Sequence, residues 1–121
     1  MILVTGGTGF VGRHVVQHLR QQGHPIRAIV RKGRERDFIP GDDYEIIYTG
    51  DVFVEKYTWW LDVLKGVSSI VHLAWYAEPG RYLESDLNVT CLRGTLRLAE
   101  AAIDAGVNRF VGVGSCFEYD L

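Results

Sequence analysis

The first dozen residues constrain the chain most. Ile2-Leu3-Val4 is a short apolar strand that ends at Thr5 and runs without a spacer into Gly6-Gly7-Thr8-Gly9-Phe10-Val11-Gly12. Glycines spaced Gly-x-x-Gly-x-x-Gly between a strand and a helix answer three separate demands. Gly6 permits a tight turn, Gly9 leaves space for a bulky anion to approach the backbone, and Gly12 lets the next helix pack closely. The start of that helix offers unpaired amides to phosphate. Gly7 adds freedom, and the Thr5 and Thr8 hydroxyls are placed to tie the loop down. A dinucleotide pyrophosphate suits this cradle, the alternative being a turn used only in packing. The Gly-Lys-Ser/Thr ending of a nucleoside triphosphate loop is absent, which disfavours ATP hydrolysis.

Beyond the loop, Val11, Val15, Val16 and Leu19 recur at helical spacing from Phe10 to about Gln22, where Gly23 stops the helix. A second strand covers Ile26 to Val30. The charged stretch Arg31 to Asp37 follows, with room for one turn between Gly33 and Pro40, then a turn at Pro40-Gly41-Asp42-Asp43 and a third strand from Tyr44 to Tyr48. Phe53, Tyr57, Trp60, Leu61 and Leu64 share a helical face that Gly66 ends, and Ser69 to Ala74 is a fourth strand. A long helix from about Leu83 to Ala105 carries the stripe Leu87, Cys91, Thr95, Leu98 and Ala102, and Arg109 to Gly114 is a fifth strand.

The central strands are apolar throughout, as parallel strands covered on both faces are. The prediction is an α/β fold, a Rossmann-type doubly wound parallel sheet of order 3-2-1-4-5. That order puts Phe110-Val111-x-Val113 on an edge, where an apolar row invites self-association, so a homo-oligomer is expected. The chain closes at Leu121, just after a strand, and residues 1–121 read as an incomplete dinucleotide-binding domain truncated before its later strands and a substrate domain.

Composition narrows the partners. With 121 residues, 47% hydrophobic, 23% charged and a net charge of -2, the chain holds one domain and no broad positive field. Its densest basic run, Arg31-Lys32-Gly33-Arg34-Glu35-Arg36, is short and interrupted, so no nucleic-acid partner is expected. No apolar run nears the ~20 residues of a membrane span, and Met1-Ile2-Leu3-Val4 is no export leader, so a cytoplasmic protein is expected. Cys91 and Cys116 lack metal-ligand spacing and read as reduced thiols, and no metal site is expected.

The residue facing the adenosine ribose lies at the end of the second strand, here Val30-Arg31 with no carboxylate. Arg31, with Arg34, suits the 2'-phosphate of NADP, which is favoured over NAD. Alternatively, Arg31 merely solvates the strand end. Asp51 can accept from an adenine amino group or simply close the Gly50-Asp51 turn.

Taken together, Thr5-Gly6-Gly7-Thr8-Gly9-Phe10-Val11-Gly12, Gly50-Asp51-Val52, His72-Leu73-Ala74, Asn88-Val89 with Gly94-Thr95, and Phe110-Val111-Gly112-Val113-Gly114-Ser115 resemble the N-terminal part of an extended short-chain dehydrogenase/reductase. More narrowly, the chain resembles the NAD-dependent epimerase/dehydratase family acting on nucleotide sugars, over practically its whole length. The resemblance implies a modified Rossmann domain and hydride transfer between a nicotinamide and a sugar carbon, as in a 4-keto-deoxysugar reductase or a C4 epimerase/dehydratase. It implies that Gly6, Gly9, Phe10, Val11 and Gly12 hold the pyrophosphate, Asp51 and Val52 the adenine, and that Leu73 and Ala74 lie beside the cofactor. Asn88 matches a structural asparagine and Ser115 the active-site hydroxyl that donates to the substrate oxygen.

The family's Tyr-x-x-x-Lys would fall beyond Leu121, and Tyr119, in Gly114-Ser115-Cys116-Phe117-Glu118-Tyr119, matches a noncatalytic tyrosine. This polypeptide alone is therefore expected to be inactive. Trp75, Tyr76 and Glu78, with Arg81, stand in the loop the family places near substrate, where they either wall the sugar pocket or pack a surface loop. His72 reads as a satisfied strand histidine rather than an acid or base, and Cys116 has no histidine placed to activate it. The alternative to an enzyme is a noncatalytic NAD(P)-binding or sensor protein of the same fold.

Overall fold

A computed structural model describes residues 1–37, 44–116 and 119, apart from the side chain of Arg36; the expected turn at 40–43 and residues Phe117 and Glu118 lie outside the described residues. The elements run β1 (Ile2–Thr5), α1 (Phe10–Gln21), β2 (Ile26–Arg31), a 3-10 turn (Glu35–Asp37), β3 (Tyr44–Thr49), α2 (Tyr57–Val63), β4 (Ser69–His72), a 3-10 turn (Tyr82–Glu84), α3 (Leu87–Asp104) and β5 (Arg109–Gly112). The strands form one sheet in the predicted order β3-β2-β1-β4-β5, every neighbouring pair parallel.

Side chains alternate across β1, so Leu3 and Val4 enter different layers. Leu3 joins Ile29, Ile70, Trp60, Leu64 and Leu98 beneath α2 and α3, whereas Val4 joins Ala28, Val30 and Val16 beneath α1. Helices thus cover both faces, which is why β1, β2 and β4 are apolar at successive positions. Trp60 fills the first layer at 1% exposure, with its indole N–H unpartnered among the described residues.

Arg27 on β2 reaches past the sheet to α2. Its Nη1 donates to the carbonyls of Val63 at 2.6 Å and Lys65 at 2.7 Å, while Nε meets Glu45 Oε2 at 2.7 Å. It therefore satisfies carbonyls that the end of a helix leaves without intrahelical donors.

Several sequence boundaries move, four of them by two residues or more. Phe53 stands outside α2, because Asp51 Oδ1 accepts from the Phe53 amide at 2.9 Å and its carbonyl from Val54 at 3.2 Å, making a turn there. The long helix begins at Leu87 rather than Leu83, since a separate 3-10 turn ends before it and Ser85 Oγ accepts from the Leu87 amide at 3.2 Å. Leu87 is consequently exposed and leaves the buried stripe, which Cys91, Gly94, Leu98, Ala101 and Ala102 form instead. β4 ends at His72 and β5 at Gly112, each two residues early, which frees the following residues to form the site's loops. Phe110 and Val111 are exposed on the edge strand and Val113 just beyond it.

Candidate dinucleotide-binding site

Because all strands are parallel, their C-terminal ends share one edge, and the chain order reverses between β1 and β4. A crevice opens at such a reversal, and ligands bind outside the strand ends there. The glycine loop leaves β1 at this point.

Gly6 has φ +72°, and a Cβ on it would lie 2.6 Å from the Ala74 nitrogen. Conformation and space both demand glycine. Gly9 caps α1, its amide donating to the Gly6 carbonyl at 3.1 Å, and its Cα faces open space apart from that oxygen. A Cβ on Gly12 would stand 1.9 Å from the Gly6 carbonyl oxygen. The close approach at Gly12 is thus to the loop's own backbone. Arg13 is the first amide of α1 to find its helical partner, the Gly9 carbonyl, so the preceding amides of Phe10, Val11 and Gly12 face the loop. Phe10 and Val11 are exposed around them. The first turn carries no acidic side chain to compete with an anion.

The β4 end forms the opposite wall. The Leu73 amide donates to the Thr5 carbonyl at 3.2 Å and the Ala74 amide to Thr5 Oγ1 at 3.3 Å. His72 is 5% exposed and satisfied at both nitrogens, Nδ1 with Thr5 Oγ1 at 2.7 Å and Nε2 with Thr95 Oγ1 at 2.8 Å. Burial holds its pKa down to about 4, so the ring is neutral, in keeping with a strand histidine. The Thr5 hydroxyl thus holds the β4 end rather than a residue of the glycine loop, and Thr95 is a partner that spacing alone places only on a packing stripe.

Trp75, 43% exposed, follows at once; its Nε1 donates to Asn88 Oδ1 at 2.8 Å, and Asn88 Nδ2 donates to the Tyr82 carbonyl at 2.5 Å. Asn88 thus holds both backbone and an indole. Tyr76 donates to Glu78 Oε2 at 2.8 Å, which raises the phenol's pKa, and Arg81 approaches Glu78 at 3.6 Å. The Phe53 ring lies edge-on to both Trp75 and His72.

At the other side of the crevice, Arg31 ends β2 exposed, opposite Thr49 of β3. The Arg34 amide donates to the Arg31 carbonyl at 3.0 Å while its guanidinium donates to Asp37 at 2.9 Å, and Glu35 Oε1 accepts from the Gly33 amide at 2.9 Å, which lowers the Glu35 pKa. Asp51 is exposed with one oxygen in its turn, while Val52 packs on the core. Ser115 is exposed beyond β5, on the same sheet edge as Gly6 and Ala74. The Cys91 thiol is buried and its pKa raised by that burial; Cys116 is exposed. Among the described residues there is no cluster of three or more metal-ligating side chains and no helix long and apolar enough to cross a membrane.

The family model of the NAD dependent epimerase/dehydratase family matches residues 2–120. A ceramide reductase of Caulobacter vibrioides is 36% identical over 116 residues, 95% of this chain and 34% of that protein. A UDP-glucose 4-epimerase of Neisseria meningitidis serogroup C is 31% identical over 142 aligned positions, 98% of this chain and 37% of that one. Among solved structures, MoeE5 in complex with UDP-glucose and NAD superposes with a TM-score of 0.71 at 32% identity, covering 98% of this chain and 38% of MoeE5. The first curated relatives are covered over 32% of their own length, so the chain spans about a third of them.

Proposed function

The chain belongs to the NAD dependent epimerase/dehydratase family, and from that premise we propose that residues 1–121 are the dinucleotide-binding part of an NAD(P)-dependent nucleotide-sugar oxidoreductase, a 4-keto-deoxysugar reductase or a C4 epimerase/dehydratase. One observation carries the reading: the Gly6 turn lies so close to Ala74 that a Cβ would be 2.6 Å from its nitrogen, at the crevice where α1 begins. That cradle, with first-turn amides and no acidic residue beside them, fits a pyrophosphate.

When bound, the nicotinamide supplies hydride exchange. The chain's own residues hold and orient. The loop from Gly6 to Gly12 takes the pyrophosphate, Asp51 and Val52 the adenine, and Leu73 and Ala74 floor the crevice. The Ser115 hydroxyl donates to a substrate oxygen as negative charge gathers there. Trp75, Tyr76 and Glu78 line the sugar side. The UDP-glucose and NAD held by MoeE5 support a nucleotide-sugar substrate. Residues 1–121 contain no Tyr followed four positions later by Lys, so this polypeptide binds without turnover.

Cofactor choice rests on Arg31, because Arg34 is already paired with Asp37. MoeE5 was solved with NAD, whereas a cation and no carboxylate at the β2 end favour NADP here. Titration calorimetry with NADH and NADPH tests both points. Binding of either supports the reading, and binding of neither at millimolar concentration sinks it. Arg31→Glu should weaken NADPH at least about tenfold relative to NADH, through loss of a charge-assisted contact; an unchanged ratio would remove the NADP preference.

A further inference from the structure

His72 stands in register with Thr5 of β1 and Gly112 of β5. Thr5 is fully buried, and its hydroxyl meets two groups, His72 Nδ1 at 2.7 Å and the Ala74 amide at 3.3 Å. That amide nitrogen is the atom against which the Gly6 turn is fitted. The Thr5 hydroxyl is therefore built into the joint between the glycine loop and the β4 end. On the far side of the ring, Nε2 meets Thr95 Oγ1 of α3 at 2.8 Å. Phe53 and Phe110 flank the imidazole with ring centroids at 6.1 and 6.0 Å.

The proton inventory fixes the direction of this chain. A neutral imidazole has one N–H and one lone pair, so one threonine donates to it and the other accepts. The Thr5 oxygen already accepts from Ala74. With the ring proton on Nε2, Thr5 donates to Nδ1 and accepts from Ala74, so the fully buried hydroxyl uses both its proton and its oxygen. With the proton on Nδ1, Thr5 would accept twice and its own buried proton would lose the ring as acceptor, an expensive arrangement.

We propose that His72, as its Nε2–H tautomer, is a positioning residue for dinucleotide binding: it fixes the Thr5 hydroxyl, through it the Ala74 amide and the Gly6 turn, and fastens this floor to α3 through Thr95. The proposal rests on the dinucleotide reading above. It assigns the two ring nitrogens unequal tasks, Nδ1 serving the loop and Nε2 the helix.

Side-chain amides separate those tasks, since Asn presents its carbonyl near the place of Nδ1 and Gln reaches toward that of Nε2. On the 121-residue chain, His72→Asn should weaken NADH or NADPH binding about threefold and His72→Gln about thirtyfold, the larger effect reflecting a buried hydroxyl left unpaired. Amide hydrogen exchange at Ala74 and Gly9 should quicken about tenfold in His72→Gln and less in His72→Asn. Thr5→Val, which keeps the β-branched shape, should quicken the Ala74 amide similarly and serves if His72→Gln does not fold. Imidazole nitrogen NMR near neutral pH should report Nε2–H. Equal exchange at both amides in wild type, His72→Gln and Thr5→Val, or an Nδ1–H ring, overturns the proposal. If wild type binds neither dinucleotide, the functional reading fails instead, and the exchange and tautomer measurements still decide whether His72 orders the loop.

Discussion

Acidification offers a quantitative test of how His72 is held. The ring is faced by Thr5 from β1, Thr95 from α3, Phe110 from β5 and Phe53 from the segment before α2, and none of these carries charge. Burial depresses its pKa from 6.5 to about 4. A depressed histidine means that the unfolded chain binds more protons than the folded one between those values, so stability is complete above the unfolded pKa and falls as pH drops through the window. Integrating one proton over the two pKa values gives a loss of about 1.3 kcal/mol from about pH 7.5 to about pH 5.5, approaching about 3.4 kcal/mol below pH 4. The imidazolium would also donate from both nitrogens and force Thr5 into two acceptances. Urea denaturation of wild type and His72→Gln at the two pH values isolates this proton, because the other titrating groups are common to both. Wild type should lose about 1.3 kcal/mol more than the variant on acidification. Parallel losses, within about 0.3 kcal/mol, would show that the ring already titrates in the native state near its ordinary value and that the buried double hydrogen bond is misassigned.

Three further outcomes follow from geometry elsewhere. Gly6 and Gly23 share a left-handed φ, +72° and +76°, but only Gly6 has backbone within reach of a Cβ. Gly23→Ala should therefore cost about 1 kcal/mol and spare dinucleotide affinity, whereas Gly6→Ala should cost about 3 kcal/mol or more and abolish binding by calorimetry. Arg27→Met removes the donor shared by the Val63 and Lys65 carbonyls and should cost about 2 kcal/mol in urea titrations; Arg27→Lys should recover little, because a point charge cannot replace the fork. On the β5 edge, Phe110 and Val111 are exposed, and Val111→Lys should shift sedimentation of the chain toward the monomer; a monomeric wild type at high concentration would refute self-association through this edge.

Strand order and the glycine loop were legible because their signals are local. A short apolar strand that runs through Thr5 straight into glycine admits few readings, and the C-terminal edge followed from parallel order. The helices were less determinate where two patterns fitted one spacing. Phe53 continues the period of Tyr57 and Trp60, yet the Asp51 carboxylate captures its amide first. α3 is apolar on two faces, and periodicity cannot say which one is inside. Gly94 decides it, since a Cβ there would meet the Phe53 Cα at 2.5 Å, so the face bearing Gly94, Cys91 and Leu98 turns inward. The Arg34–Asp37 pair was likewise not read from the sequence, although Asp37 is three residues away, the nearest partner a short turn can offer.

The contacts that organise the site were the least legible, because each joins residues far apart in sequence through ordinary polar side chains. Thr95 lies 23 positions from His72 and Asn88 lies 13 from Trp75, and nothing in either local pattern announces the pairing. Both partners nevertheless sit on α3, seven residues apart, about 10 Å along the axis. One rigid helix therefore anchors two parts of the crevice, the floor beneath the glycine loop through Thr95 and the exposed indole through Asn88. Phe53 bridges them, edge-on to Trp75 and to His72 at centroid distances of 6.2 and 6.1 Å, and is itself pressed against Gly94 of the same helix. Displacing α3 would disturb the β4 end beside the glycine loop and the aromatic wall next to it together, because Thr95 and Asn88 hold both to the same helix. The small residue at Gly94 is what lets the bridge exist: any side chain there would lift α3 from the Phe53 backbone, and the Thr95 and Asn88 hydrogen bonds, both already near their working distances, would lengthen with it.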